Sequence, residues 1–307
     1  MAHPLNLHGR VALITGGAGG MGRCIAARLL ARGARVILAD VSARSLAQAV
    51  ADLGPGVEPV EADLTQRAAL EALVAHVQQQ HGRLDVLVNN AAVTVTTSFE
   101  QRSPDSIVDE LNINLVSPIL TTRLLLPLLQ RAGDGRVISI VSLGGLFPLP
   151  ETSLYSASKF GLRGAMLCLG LDGPRLGVRF GIVNPSATET PMLIREAIEG
   201  GNTLQFMDPP QRPEDVAEQV MRTLDQPCLE RYVRPSESWL ARLAMLWPNG
   251  LPRLTPLFAR SGEKGHRRYL QSLAERGLIV QRDGAWQMAE PAAPSAAKEA
   301  GARGARR

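Results

Sequence analysis

Val11-Ala12-Leu13-Ile14-Thr15-Gly16-Gly17-Ala18-Gly19-Gly20-Met21-Gly22 is the stretch on which the fold turns. Apolar, strand-forming residues run into a glycine-rich turn, and the chain from Gly20 to Arg32 then carries helical period. Glycines permit the tight turn and let backbone N–H groups approach a pyrophosphate, whose charge the positive end of the helix stabilises. A second strand, Arg35–Ala39, closes on Asp40, a carboxylate suited to accept both hydroxyls of an adenosine ribose and to repel a 2′-phosphate. This order of strand, loop, helix, strand and acid predicts a dinucleotide site with Gly16, Gly17, Ala18, Gly20, Met21 and Gly22 at the phosphates. NAD is expected over NADP. Ser42 is the better N-cap for the next helix, which leaves Asp40 for the ribose, while Arg44 is the nearby cation that a 2′-phosphate would want.

Further along, β-branched runs at Val57–Val60, Val86–Asn89, Arg136–Val141, Val178–Val183 and, more weakly, Arg231–Arg234 alternate with helical segments. The helices are expected near Ala43–Leu53, Gln66–Gln80, Pro104–Gln130, Leu154–Gly173, Pro191–Glu199 and Pro213–Leu224. The pattern is that of an α/β, doubly wound parallel seven-stranded sheet in three αβα layers. We place a catalytic domain at 1–238, a C-terminal helical extension at 239–289 and a disordered, basic Ala/Pro/Gly-rich tail at 290–307.

With 307 residues and 45% hydrophobic content the chain can bury a large core, so a disulfide- or metal-held scaffold is not expected. Cys24, Cys168 and Cys228 form no CxxC pair, which suggests a reducing, cytoplasmic setting. His76 and His81 lie in a polar stretch and read as solvated; no metal is expected. The apolar run Leu111–Leu129 is interrupted by Arg123 and two prolines, and no secretion signal is recognisable, so no membrane span is expected. The net charge of +4 is concentrated in the last ten residues, which argues against a nucleic-acid-binding fold.

Tyr155-Ser156-Ala157-Ser158-Lys159 stands at the start of the helix expected over 154–173. Tyrosine and lysine four apart share a helix face, so an ammonium near the phenol would favour its ionised form. Ser142 lies thirteen residues earlier, at the carboxyl end of the fifth strand, where doubly wound sheets place their ligand crevice.

Taken together with Asp63-Leu64 after the third strand, Asn89-Asn90-Ala91-Ala92 after the fourth, and Asn114, these motifs over residues 7–235 resemble the short-chain dehydrogenase/reductase family in its single-domain branch. The resemblance implies hydride transfer with Tyr155 exchanging the proton. It gives Lys159 the nicotinamide ribose and the lowering of the Tyr155 pKa, Ser142 the substrate oxygen, and Asn114 a water relay. It also implies that Asp63 and Leu64 contact adenine, that Asn90 and Ala91 line the cofactor path, and that Pro185 to Thr190, with Thr188 between, meets the nicotinamide carboxamide. Two positions depart from the pattern: Ala92 and Ser186 stand where glycine is usual.

Leu143 to Leu149 and Met192, Leu193 and Ile194 are expected to wall the substrate pocket, with no Arg or Lys cluster among them, which favours a largely apolar alcohol or ketone. Trp239, Leu240, Leu243, Leu246 and Trp247 recur at helical spacing and read as a stripe packed on the same domain or on a neighbouring subunit; membrane-surface contact through 239–258 is the less favoured reading. The helices 104–130 and 154–173 resemble the family's dimerising pair, so a homodimer or homotetramer is expected. Two competing readings are an NADP-linked carbonyl reductase and a non-catalytic nucleotide-sensing scaffold.

Overall fold

A computed structural model describes residues 4–289. In chain order it contains β1 (Val11–Thr15), α1 (Gly20–Ala31), β2 (Arg35–Asp40), α2 (Ala43–Leu53), β3 (Val57–Glu61), α3 (Arg67–His81), β4 (Val86–Asn89), α4 (Pro104–Leu111), α5 (Ser117–Arg131), β5 (Gly135–Ile140), α6 (Ser153–Leu176), β6 (Val178–Asn184), α7 (Pro191–Glu199), α8 (Pro213–Asp225) and β7 (Glu230–Tyr232). The seven strands form one sheet in the order β3-β2-β1-β4-β5-β6-β7, and all pairs are parallel. The order reverses between β1 and β4, which opens a crevice at the carboxyl ends of those strands.

Strands covered on both faces read as unbroken apolar runs, because each alternate side chain finds a different helix layer. Ala12 and Ile14 of β1 pack with Ile25 and Leu29 of α1 and Val216 and Val220 of α8. Val11 and Leu13 point the other way, into Leu70 and Leu73 of α3 and Leu125 and Leu128 of α5.

The predicted helix 104–130 is one continuous rod, but a π-helical turn, Asn112–Val116, joins α4 to α5. By length and hydropathy this rod would cross a membrane, yet it passes that test while packing Leu125, Leu128 and Leu129 into the core of the fold. His76 and His81, expected to be solvated, both face Glu58, with His81 Nε2 2.8 Å from a carboxylate oxygen. Burial pushes the Glu58 carboxyl up, but the two imidazoles outweigh it and hold the group below its ordinary range.

Beyond β7 come α9 (Pro235–Met245), α10 (Leu251–Glu275) and an antiparallel hairpin of β8 (Ile279–Arg282) and β9 (Ala285–Met288). The hairpin was not expected, and the boundary at 238/239 falls inside α9. The second half of α10 lies against α7 and the turn Thr203–Phe206. Leu193, Ile194, Ala197, Phe206, Tyr269, Leu273 and Ile279 form one buried cluster there. Close approach depends on Gly262 and Gly265: a Cβ on Gly265 would collide with the Phe206 carbonyl, and one on Gly262 would lie 2.8 Å from that of Thr203. His266 donates to the Ala197 carbonyl at 2.8 Å, and Arg276 grips Glu189 with two hydrogen bonds. The Trp/Leu stripe, expected on the same domain or on a neighbouring subunit, is not covered by its own chain: among the described residues Trp239, Leu240, Leu243 and Leu246 are 66–80% exposed. The predicted tail, 290–307, lies outside the described residues.

Candidate active site

The glycine turn is built by what its neighbours leave room for. Gly16 has φ +60°, and a Cβ there would sit 2.8 Å from the Ala91 Cα. On Gly22 a Cβ would come within 2.5 Å of the Gly16 carbonyl, so α1 can start this close to the turn only without side chains. Asn90 donates to the carbonyls of Thr15 and Gly16 at 3.0 and 2.9 Å, and the Thr15 hydroxyl accepts from the N–H groups of Asn90 and Ala91. Asn90 therefore braces the turn, a role distinct from lining the cofactor path.

No side chain caps the start of α1, whose N-cap is Gly19 and whose first turn carries no acid. Its free N–H groups and the side-chain-free cradle fit a pyrophosphate. Asp40, at the end of β2, accepts from the backbone N–H of Ala18 and of Ser42, both at 3.2 Å, which ties the turn to the second strand. Ser42 caps α2 as expected, accepting from Ser45 N–H. Asp63 is exposed, and hydrogen bonds from the hydroxyl and N–H of Thr65 hold its carboxyl below the ordinary range. Leu64 is buried, and its carbonyl accepts from the Ser117 hydroxyl. On the opposite side, Thr190 caps α7 and its methyl lies 3.4 Å from where a Gly20 Cβ would be. The segment Pro185–Thr190 thus meets the α1 terminus, steadied by Gln211 through Ser186 N–H and through Thr188. The residues present therefore fit a dinucleotide: phosphates at Gly16–Gly22, a ribose at Asp40, and a nicotinamide end between Pro185–Thr190 and the residues that follow.

Beyond the nicotinamide end stand Ser142, Tyr155 and Lys159. Tyr155 lies in the first turn of α6, and Lys159 Nζ is 5.7 Å from its ring centroid. Lys159 is 2% exposed and donates to the Ile140 carbonyl at the end of β5, at 3.1 Å. Ser142 Oγ accepts from Gly144 N–H at 3.0 Å and interacts with the Tyr155 hydroxyl in the sense that favours its ionised form. Gly144, expected as part of the pocket wall, is the platform for this ring: a Cβ there would lie 3.1 Å from Tyr155 Cε1.

Burial drives both titrations. It pushes the Tyr155 phenol up to about 12, against the Ser142 interaction, with Glu196 and Glu110 adding to the rise. It brings the Lys159 ammonium down to about 8. The ammonium is itself desolvated and gives one of its three N–H groups to the Ile140 carbonyl. Asn114 is fully buried in the π turn, and its amide clamps Val93 from both sides, Oδ1 accepting from its N–H and Nδ2 donating to its carbonyl, each at 2.8 Å. Both polar atoms of its side chain are thereby committed to Val93.

The space beside Tyr155 measures about 30 Å³ and is more polar than predicted, with Thr94, Thr96, Glu196 and Gln205 among its walls. Leu146, Leu193 and Ile194, expected to line it, are buried at 8%, 4% and 7% exposure, the last two because α7 turns them toward Phe206 and α10. Arg102 reaches this space, but it is paired with Glu110 at 2.8 Å, both nearly sealed from solvent. Burial raises the Glu110 pKa against that pairing, and burial likewise raises the pKa of Glu196.

Residues 10–199 match the family described as short chain dehydrogenase. A levodione reductase of Leifsonia aquatica is 33% identical over 222 residues, which is 69% of this chain and 79% of the relative. A 15-hydroxyprostaglandin dehydrogenase [NAD(+)] of Mus musculus is 36% identical over 205 residues, 64% of this chain and 72% of the relative. Among solved structures, a 3-ketoacyl-(acyl-carrier-protein) reductase from Brucella melitensis complexed with NADH superposes with a TM-score of 0.65 at 26% identity, covering 74% of this chain and 98% of that one.

Proposed function

The chain belongs to the short-chain dehydrogenase family, and from that premise we propose that it is an NAD-linked oxidoreductase interconverting a neutral secondary alcohol and its ketone, with Tyr155 as acid/base. The observation that carries this reading is the convergence of Ser142, Tyr155 and Lys159 at the carboxyl end of β5, beside a glycine cradle that fits a dinucleotide. A bound nicotinamide dinucleotide exchanges a hydride with the substrate carbon. Ser142 holds the substrate oxygen, and Tyr155 donates its proton to that oxygen as the carbonyl is reduced, or takes it back on oxidation. A phenol pushed up to about 12 is protonated at neutral pH and ready to donate, which favours reduction there. Lys159 lies close enough to stabilise the phenolate left behind.

NAD is preferred because Asp40 presents a carboxylate where a 2′-phosphate would have to sit. The substrate is neutral and largely apolar, since among the described residues the one cation reaching the pocket, Arg102, is already paired with Glu110. The protein works as a homo-oligomer in a reducing, cytoplasmic setting; Val108, Val116 and Leu171 leave apolar surface on the rod 104–131 and on α6 for a second copy. The test is absorbance of reduced nicotinamide with a panel of neutral ketones and alcohols and each cofactor. Turnover no greater than that of a Tyr155→Phe variant on every substrate would instead support a nucleotide-binding scaffold.

A further inference from the structure

Resting on that oxidoreductase reading, we propose that the groove between the loop 148–151 and α10 seats the hydrocarbon body of the substrate, so that the enzyme acts on long-chain or multi-ring neutral alcohols and ketones. The first reason is size. About 30 Å³ beside Tyr155 corresponds to a few water molecules, enough for the reacting carbon and its near neighbours. The second is adjacency: Glu151, Gly201 and Asn202 wall both this space and a groove of about 940 Å³ on the far side, a size typical of ligand sites. Asn202 Nδ2 donates to the Pro150 carbonyl and forms the sill between the two.

The groove has the chemistry of a hydrocarbon site. Pro148, Leu149, Leu204, Leu251, Pro256 and Ala259 supply its apolar walls, and among the described residues Glu151 at the sill is the only charged one lining it. None of those residues offers a cation to a carboxylate, a phosphate or a carrier-borne tail, so the body the groove fits is uncharged. Several wall residues are prolines, which lose little freedom when a ligand settles against them. One wall is also this chain's own: α10 lies beyond the matched segment 10–199, and Gly262 and Gly265 fix its position by letting it rest on the 203–206 turn.

The experiment compares the series 2-butanol to 2-decanol, with the matching ketones, in the wild type, in Ala259→Trp, which fills the groove, and in Leu257→Ser, on the exposed face of the same helix. In the wild type kcat/KM is expected to rise about twofold per methylene, half of the roughly fourfold that complete burial of each CH₂ would give. Ala259→Trp is expected to flatten that rise, and Leu257→Ser to leave its slope unchanged. Should Ala259→Trp fail to fold, Thr255→Arg places a charge in the same groove. Calorimetric binding of 2-decanone to the wild type and to the groove variants reads the groove independently of turnover, with at least tenfold weaker binding expected when it is filled. A flat series in the wild type, or equal slopes and equal 2-decanone affinity in wild type and Ala259→Trp, overturns the groove. Absence of turnover above the Tyr155→Phe background, with 2-decanone still bound through the groove, would instead overturn the oxidoreductase reading.

Discussion

Replacing Tyr155 by phenylalanine removes one oxygen from a ring whose seat is otherwise unchanged. The ring keeps its contact above Gly144 and its place in the first turn of α6, so the variant loses only the hydroxyl and its interaction with Ser142. A net intramolecular hydrogen bond contributes about 1 kcal/mol to stability, too little to unfold the domain. For the chemistry the loss is larger. Without a positioned proton donor the rate should fall by about 100-fold to 10,000-fold, a barrier increase of roughly 3–5 kcal/mol, while cofactor affinity stays within a factor of about two. The wild-type pH profile separates the partners. Tyr155, at about 12, stays protonated throughout the usable range, whereas Lys159 loses its protonated form as pH rises through about 8, so the reduction rate is expected to decline there, with Glu110 and Glu196, both pushed up by burial, as the other titrating groups at the site. Single-turnover absorbance of reduced nicotinamide at saturating cofactor, from about pH 6 to about pH 10, reads both effects. A Tyr155→Phe variant keeping more than about a tenth of wild-type turnover, or a wild-type reduction rate that climbs steadily over the upper half of that range, would refute the assignment.

Asp40→Ser should raise the NADP-to-NAD ratio of kcat/KM at least tenfold, measured by initial rates with each cofactor; an unchanged ratio would remove Asp40 as selector. Gly22→Ala pushes a methyl against the Gly16 carbonyl at 2.5 Å and should abolish detectable dinucleotide binding by calorimetry, with the circular dichroism spectrum retained. Leu273→Ala, in a fully buried site between α10 and α7, should cost about 2–5 kcal/mol of unfolding free energy in urea. A loss under about 1 kcal/mol would mean that this cluster is loosely packed.

The sheet and most of its helices were legible because the central strands carry their own apolar runs and most connecting turns their own glycine or proline. β1, β4, α2 and α7 fall where periodicity places them. The π turn was not legible: it adds one residue to a rod that still reads as helix, and the sign of it is Asn114, a buried amide clamped on Val93 in place of an apolar residue. The site was legible in its components but not in all their contacts. Asn90 and Asp40 were read as groups facing a ligand, whereas their hydrogen bonds also hold the turn that would receive it. The polar pocket was missed because Glu196 is far in sequence from Arg102 and Glu110, and no local pattern announces their meeting. The extension was the least legible part. Its packing depends on Gly262 and Gly265, which inside a helical pattern look like weaknesses until the 203–206 turn is laid against them.

That contact at Gly262 and Gly265 bears on how the enzyme breathes. Any swing that carries α7 and the 203–206 turn away from Tyr155 must either drag α10 along or break the cluster around Phe206, Tyr269 and Leu273. A swing of that kind would therefore be geared to a helix that belongs to no catalytic motif. Amide protons on α7 should accordingly exchange at the pace of those on the second half of α10, and loosening that helix should speed turnover wherever release, and not hydride transfer, is the slow event.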